Sequence, residues 1–196
     1  MSKIDIEKYL QKSGEVKFDE VKQDVKRLAE EFKMFIESKD DQYVSTWLLE
    51  TDIFLQAEKG VLAAEKETLS RGRIIHVNPG VTNIGREQRY VHPYIVLGEY
   101  KETFIGVPVT NKAFNNQTKE YYLRHFFEVE LKDPDTEKPY TEYRCYKPSV
   151  ADIRNISGLD KRRIIKDSLY YTPRYVPFTY LNAISQKIRE SLAVIR

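Results

Sequence analysis

A single cysteine, Cys145, stands among 196 residues, so no disulfide can form within the chain. Its neighbours Arg144 and Tyr146 read as a strand, and a structural role is expected for it. No long apolar run occurs, which excludes a membrane-spanning helix. The opening MSKIDIEKYLQKSGEVKFDE carries charge throughout and lacks the uninterrupted apolar core of a secretory signal, so a cytoplasmic location is expected. Low-complexity tracts are absent as well. With 41% hydrophobic and 32% charged residues, the composition is that of a globular protein. The chain has no glycine-rich phosphate loop, no zinc-ligand spacing and no Gly-x-Ser-x-Gly elbow. Its three histidines, His76, His92 and His125, are not paired at a helical metal spacing. Neither a metal nor a cofactor is expected, which leaves metal-free chemistry open.

What is present is unevenly charged. Residues 1–70 hold 11 Lys and Arg against 16 Asp and Glu, a net of −5, whereas residues 71–196 carry +7. A basic domain behind an acidic segment fits a surface for a polyanion, because clustered Lys and Arg release counterions from a phosphate backbone. An ordinary solvated surface would show the same numbers.

The two segments also differ in pattern. Val21, Val25, Leu28, Phe32 and Phe35 recur at spacings of three and four with charged residues between them, which predicts an amphipathic helix over 18–38. A second helix is predicted from Asp41, where Leu48, Leu55, Leu62 and Leu69 recur every seven residues beside Trp47, Phe54 and Val61. One broad apolar face there should be buried. The missing second apolar column favours packing within the chain over a coiled coil. At Ser70-Arg71-Gly72 this character gives way to short β-rich runs broken by Pro, Gly and Asn. The boundary is therefore drawn between a helical extension, 1–70, and a β-rich domain, 71–196. Strands are predicted at 73–78, 93–99, 103–110, 121–131, 141–147 and 149–155, a frequency that points to a small, strongly twisted antiparallel barrel. Asp160 can cap a helix over KRRIIKDSL, and Thr179 can cap a final helix with Leu181, Ile184, Ile188, Leu192 and Ile195 on one face.

Residues 71–112 hold the informative motif. Arg71-Gly72 opens the first strand, Gly85, Glu87, Gln88, Val91 and Pro93 come next in one loop, and Thr110 closes the later strand. A second stretch, SVADIRNISGLDKRRII at 149–165, supplies Arg154 and then Asp160-Lys161. In order and spacing these residues resemble the MazF/PemK toxins, whose loop has the form Gly-x-Glu-Gln-x-x-Val-Arg-Pro. The resemblance covers about 71–168; residues 1–70 and the insertion 113–140 lie outside the simplest family pattern.

The resemblance implies an α+β fold: a small SH3-like antiparallel barrel of the MazF/PemK/CcdB type with C-terminal helices, here preceded by a helical hairpin. It also implies metal-independent cleavage of single-stranded RNA, in which the 2′-hydroxyl attacks the adjacent phosphate. Products are a 2′,3′-cyclic phosphate and a 5′-hydroxyl. Such a reaction needs a base, an acid and a group that stabilises the phosphorane. In the family an Arg before the loop Pro and a Thr or Ser at the later strand end do most of this work. Here the Arg position holds His92, which is charged only part of the time near neutral pH yet is a competent acid or base. The expected assignment is proton transfer by His92, phosphate binding by Arg86 or Arg89 in the same loop, and a hydrogen bond from Thr110. Glu87, Gln88, Arg89, Tyr90, Lys112 and Arg154 are the expected RNA contacts, with Tyr90 as a base-stacking aromatic. The competing reading makes His92 a structural loop histidine.

Expected partners are single-stranded RNA, an antitoxin protein and a second copy of the chain, since the family forms its groove across two barrels. The alternatives are a non-catalytic RNA-binding regulator on the same fold and a CcdB-like toxin acting on a protein. The acidic segment 1–70 is either an accessory layer that enlarges the dimer or receives an antitoxin, or an internal restraint on the basic barrel.

Overall fold

A computed structural model describes residues 18–60, 64, 67–79, 91–132, 148–165 and 174–194, with side chains from 22 to 193 within those ranges. Compactness divides the chain into Met1–Ser45 and Thr46–Arg196.

Helices α1 (Phe18–Glu37) and α2 (Asp41–Glu58) form where the periodicity placed them. Asp40 caps α2, its carboxylate accepting from the Tyr43 N–H at 2.8 Å. In the first unit Phe35 meets Tyr43 edge to face at 5.9 Å. Two expectations about α2 need correction. The helix ends at Glu58 because Gly60 takes a left-handed φ of 67° and its N–H returns to Ala57 O at 2.9 Å. Leu69 therefore belongs to no heptad; it is buried in the β-rich core, and Leu62 lies outside the described residues. The apolar face is not covered either: no residue of α2 is buried, and Leu48, Phe54 and Leu55 stay exposed.

The second unit is built on a seven-stranded antiparallel sheet. Its strands are β1 (Arg73–Val77), β2 (His92–Tyr100), β3 (Thr103–Asn111), β6 (Glu128–Leu131), β7 (Ser149–Asp152), β8 (Ser157–Asp160) and β9 (Arg174–Tyr175), while β4 (Ala113–Asn115) and β5 (Glu120–Tyr122) make a separate hairpin. Strand β3 has two partners on the side away from β2: its first half pairs with β8 and its last three residues with β7. A register shift between Val96 and Gly98 bends β2. The curl is closed by the chain after β8, where Ile164 bridges Val77 of β1 and Ile165 N–H reaches His76 O at 2.9 Å.

Alternation along these strands sends side chains to two apolar clusters. Ile75, Val77, Tyr94, Val96, Phe104, Leu159, Ile164 and Leu69 make one. Ile74, Ile95, Val107, Val109, Leu131 and their neighbours make the other, where Leu181, Ile184 and Ile188 of helix α3 (Phe178–Val194) pack. The α3 stripe behaves as predicted at those three positions, whereas Leu192 is exposed and Ile195 lies outside the described residues.

Three element predictions change. The run 121–131 is two strands, not one, because a turn at Arg124–Phe127 separates β5 from β6; there Glu128 accepts from the Arg124 N–H at 2.7 Å. The run 149–155 is a strand only to Asp152, after which the Asp152 carboxylate caps a 3-10 turn over Ile153–Asn155. Asp160 caps as expected, yet the element it opens is a single 3-10 turn, Lys161–Arg163, and not an α-helix. The next residue, Ile164, is taken by the bridge to β1, and a strand-like partner there excludes helical hydrogen bonding. Residues 141–147 and Cys145 lie outside the described residues.

Candidate nucleic-acid interface

Antiparallel pairing brings the two ends of the expected site to one edge of the sheet. Strand β2 starts at His92, which pairs with Val77 at the end of β1. Strand β3 runs the other way, with Tyr94 opposite Pro108. That is the last pair of the β2–β3 ladder; beyond it β2 begins at His92 and β3 runs on through Thr110, which pairs with Val150 of β7, so both residues stand at the same end of the sheet. Pro79 and Val91, the residues flanking 80–90, lie two residues and one residue beyond the Val77–His92 pair. Arg86, Glu87, Gln88, Arg89 and Tyr90 themselves lie outside the described residues.

Beside this edge opens a cavity of about 400 Å³, lined among others by Pro79, Tyr94, Arg154, Asn155, Ser157 and Arg163. The 3-10 turn after β7 presents Arg154, held by Asp152 through Nε at 3.3 Å and Nη2 at 3.1 Å. Asn155 Nδ2 donates to the same carboxylate at 3.0 Å. The second 3-10 turn presents Arg163, whose Nη1 donates to Pro79 O at 3.0 Å and lies 3.4 Å from Glu50 Oε1 of α2. Two guanidiniums thus border one concavity, the geometry that suits a phosphodiester. Its inner wall is Tyr94, whose hydroxyl burial pushes up to about 12 against the opposing pull of its hydrogen bond with Ser157.

Not every expected contact is equally placed. Lys112 is nearly buried, and its Nζ pairs with Glu130 Oε1 at 2.5 Å, which offsets its charge across the β3–β6 side of the sheet. His92 and Thr110 sit at the neighbouring sheet edge and do not line the cavity. Arg163, Asn155 and Ser157 were not anticipated as contacts. Arg163 lies within the expected helix KRRIIKDSL, and read as helical it had no reason to face a groove. Asp160 itself is held below the usual carboxylate range, chiefly by its hydrogen bond from Arg162, whose Nη2 lies 2.6 Å away.

A second polar group lies further along the sheet. Glu128 and Asp152 are buried and directly opposed in the β6–β7 register. Like charges so placed repel, and they are offset by Arg124 on Glu128 at 3.2 Å and Arg154 on Asp152. His125 Nε2 stands 3.7 Å from Glu128 and 3.9 Å from Asp152. Among the described residues no group of three or more His, Cys, Asp or Glu is arranged to hold a metal ion, and no helix is long and apolar enough to cross a membrane.

Solved structures similar to this chain include MazF (Form-I) from Deinococcus radiodurans, at 17% identity and a TM-score of 0.42 over 65% of this chain and 99% of that one. The MazE–MazF structure (Form-II) from the same organism has the same identity and TM-score, over 65% of this chain and 98% of that one. No curated protein matches the chain. The family model of the PemK-like, MazF-like toxins of type II toxin-antitoxin systems matches residues 70–192. That match spans well over half of the chain, includes the sheet edge at His92 and Thr110 and both cavity arginines, and makes this protein a member of the PemK-like, MazF-like toxin family.

Proposed function

We propose that the protein is a toxin endoribonuclease that cleaves single-stranded RNA by metal-independent transesterification. The observation that carries the reading is the cavity bordered by Arg154 and Arg163 beside the end of the sheet where β2 begins at His92 and β3 ends just past Thr110. Membership of the toxin family supports it.

In this reading the scissile phosphate lies at the His92–Thr110 edge, and the strand continues along the arginine cavity. His92 accepts the proton of the 2′-hydroxyl as that oxygen attacks phosphorus. The bond from phosphorus to the 5′-oxygen breaks, and that oxygen takes a proton from water and leaves as a 5′-hydroxyl while the 2′,3′-cyclic phosphate forms; His92 later returns its proton to solvent. Thr110 donates a hydrogen bond to a non-bridging oxygen, and Arg86 or Arg89 supplies the fixed positive charge that stabilises the phosphorane. Glu87, Gln88 and Tyr90 complete the contacts to unpaired bases, with Arg154 on the backbone. The working form is a cytoplasmic homodimer, and an antitoxin encoded with it is the expected inhibitor, as the family's definition as toxins of type II toxin-antitoxin systems supports.

Incubation of the purified protein with a long unstructured RNA, with and without chelator, tests this. Fragments bearing 5′-hydroxyl ends despite chelator are expected. Binding without cutting would favour a non-catalytic RNA-binding regulator, which His92 in place of the family Arg makes the second reading. Neither binding nor cutting would direct attention to a protein target, as for the CcdB-like toxins.

A further inference from the structure

Arg163 borders two cavities at once. One is the concavity shared with Arg154 and Tyr94; the other, of about 220 Å³, separates α2 from the second 3-10 turn and is lined among others by Glu50, Phe54, Glu58, Asp160 and Arg162. Over Thr46–Glu58 helix α2 carries Glu50, Asp52 and Glu58 and no Lys or Arg. The helix face beside the turn is Ile53, Phe54 and Ala57 with two carboxylates, Glu50 and Glu58, set near Arg162 and Arg163, and Glu50 reaches the guanidinium of Arg163 at 3.4 Å.

The way Arg163 is held is informative. Among the described residues its side-chain hydrogen bonds all leave from Nη1, to Asn78 O, Pro79 O and Glu50. The backbone carbonyls at the root of residues 80–90 anchor that nitrogen, and the Nε–Nη2 edge, the edge that grips phosphate bidentately, has no partner among these residues. About a third of the side chain stays open to solvent. The carboxylate of Glu50 adds no second anchor that the carbonyls do not already supply. What it adds is a negative charge on the same guanidinium, from the side of the second cavity, which offsets the charge Arg163 offers to a phosphate in the first.

We propose that Glu50 restrains the groove: it competes with the RNA backbone for Arg163, so helix α2 lowers the affinity of the protein for single-stranded RNA. This rests on the RNA reading above and gives it a regulator within the same chain. Neutralising Glu50 leaves the charge of Arg163 undivided, so Arg163 becomes the stronger phosphate contact.

Binding of a fluorescein-labelled, single-stranded 2′-O-methyl oligoribonucleotide of mixed sequence tests the proposal, because it has no 2′-hydroxyl to react. The full chain is compared with E50Q, which keeps the shape and an acceptor oxygen but removes the charge. At low salt E50Q is expected to bind about three- to tenfold tighter, a gain that shrinks as salt is raised. R163Q is expected to bind about as much weaker, and E50Q/R163Q to show no gain over R163Q. Equal or weaker binding by E50Q, or a gain that survives in the double variant, overturns the proposal. Should E50Q fail to fold, E58Q decides, since Glu58 is exposed and acts on the neighbouring Arg162; about twofold tighter binding is expected, and none overturns it. If the parent protein binds no RNA and leaves unmodified RNA uncut, the RNA reading fails and this inference with it. Cleavage by the parent with unaltered E50Q binding removes the restraint alone.

Discussion

Lys161 and Glu99 join the end of the curled sheet to its middle: Lys161 Nζ lies 2.8 Å from Glu99 Oε2, and the Leu69 N–H donates to the same oxygen at 2.8 Å. Lys161 is only 5% exposed and also reaches Glu67 O at 3.2 Å. The chain just before β1, the β2–β3 hairpin and the second 3-10 turn therefore share one node.

Replacing Lys161 by Met should cost about 1–3 kcal/mol, because it strands the Glu99 carboxylate; partial access of that carboxylate to water keeps the loss below that of a fully buried pair. Urea unfolding at neutral pH measures it. The Lys161 hydrogen bond, aided by the Leu69 N–H, holds Glu99 below its usual range against the opposing effect of burial. A lowered folded-state value means the stabilisation is complete above the ordinary glutamate range and is lost as pH falls through the lowered one. K161M should accordingly flatten the acid limb of the stability curve, and an unchanged acid limb would contradict the assignment.

Tyr94 should resist alkaline ionisation. Its hydroxyl is raised from 10.0 to about 12, so the stability tied to its neutral form is intact below pH 10 and falls as pH rises through about 12. Spectrophotometric titration should show a late-titrating component that is lost in Tyr94→Phe. A titration curve identical in the two proteins would refute the claim.

Gly72 should not tolerate a side chain. Its φ is 86°, and an added Cβ would stand 2.9 Å from Leu181 Cδ1 at the foot of α3. Gly72→Ala is expected to lose about 1–3 kcal/mol of stability, read as a lower urea midpoint with no change in slope. Since Gly72 N–H also donates to Val96 O at 2.7 Å, the loss should be cooperative with the whole sheet.

At the proposed site, His92→Ala should slow RNA cleavage by about 10²–10⁴-fold, the range of a positioned acid or base. Thr110→Val should slow it by about 10–10²-fold with little change in substrate affinity. Initial rates on a single unstructured RNA compare them. Cleavage by the His92→Ala protein at the parent rate would take proton transfer away from this residue while leaving the fold untouched.

Sequence reasoning was most successful where a residue's partner lies close along the chain or alternates with strict period. Strands β1, β2 and β3 fall within one residue or so of their predicted limits because Ile74, Ile75, Ile95, Val96, Val107 and Val109 alternate between two buried faces. It was least successful where a distant segment decides. The heptad leucines of α2 looked like a covered face, yet Gly60 ends the helix and Leu48 and Leu55 remain exposed. Arg163 read as one more helix-surface cation, until the Ile164–Val77 bridge pulled its turn out of the helical conformation and set its guanidinium against Pro79.

The amino-acid order alone determined the toxin-family motif, the three-strand nucleus from Arg73 to Asn111, the amphipathic helices and the charge contrast between the two ends of the chain. These depend on local periodicity and composition, which every residue carries with it. Only the tertiary structure decided that Arg154 and Arg163, nine positions apart, border one cavity, that Glu50 meets Arg163 across 113 residues, and that Glu128 opposes Asp152. Such pairings arise from the curl of the sheet and the closure of the chain after β8 onto β1, and no short-range pattern encodes which distant side chains a closing sheet brings face to face.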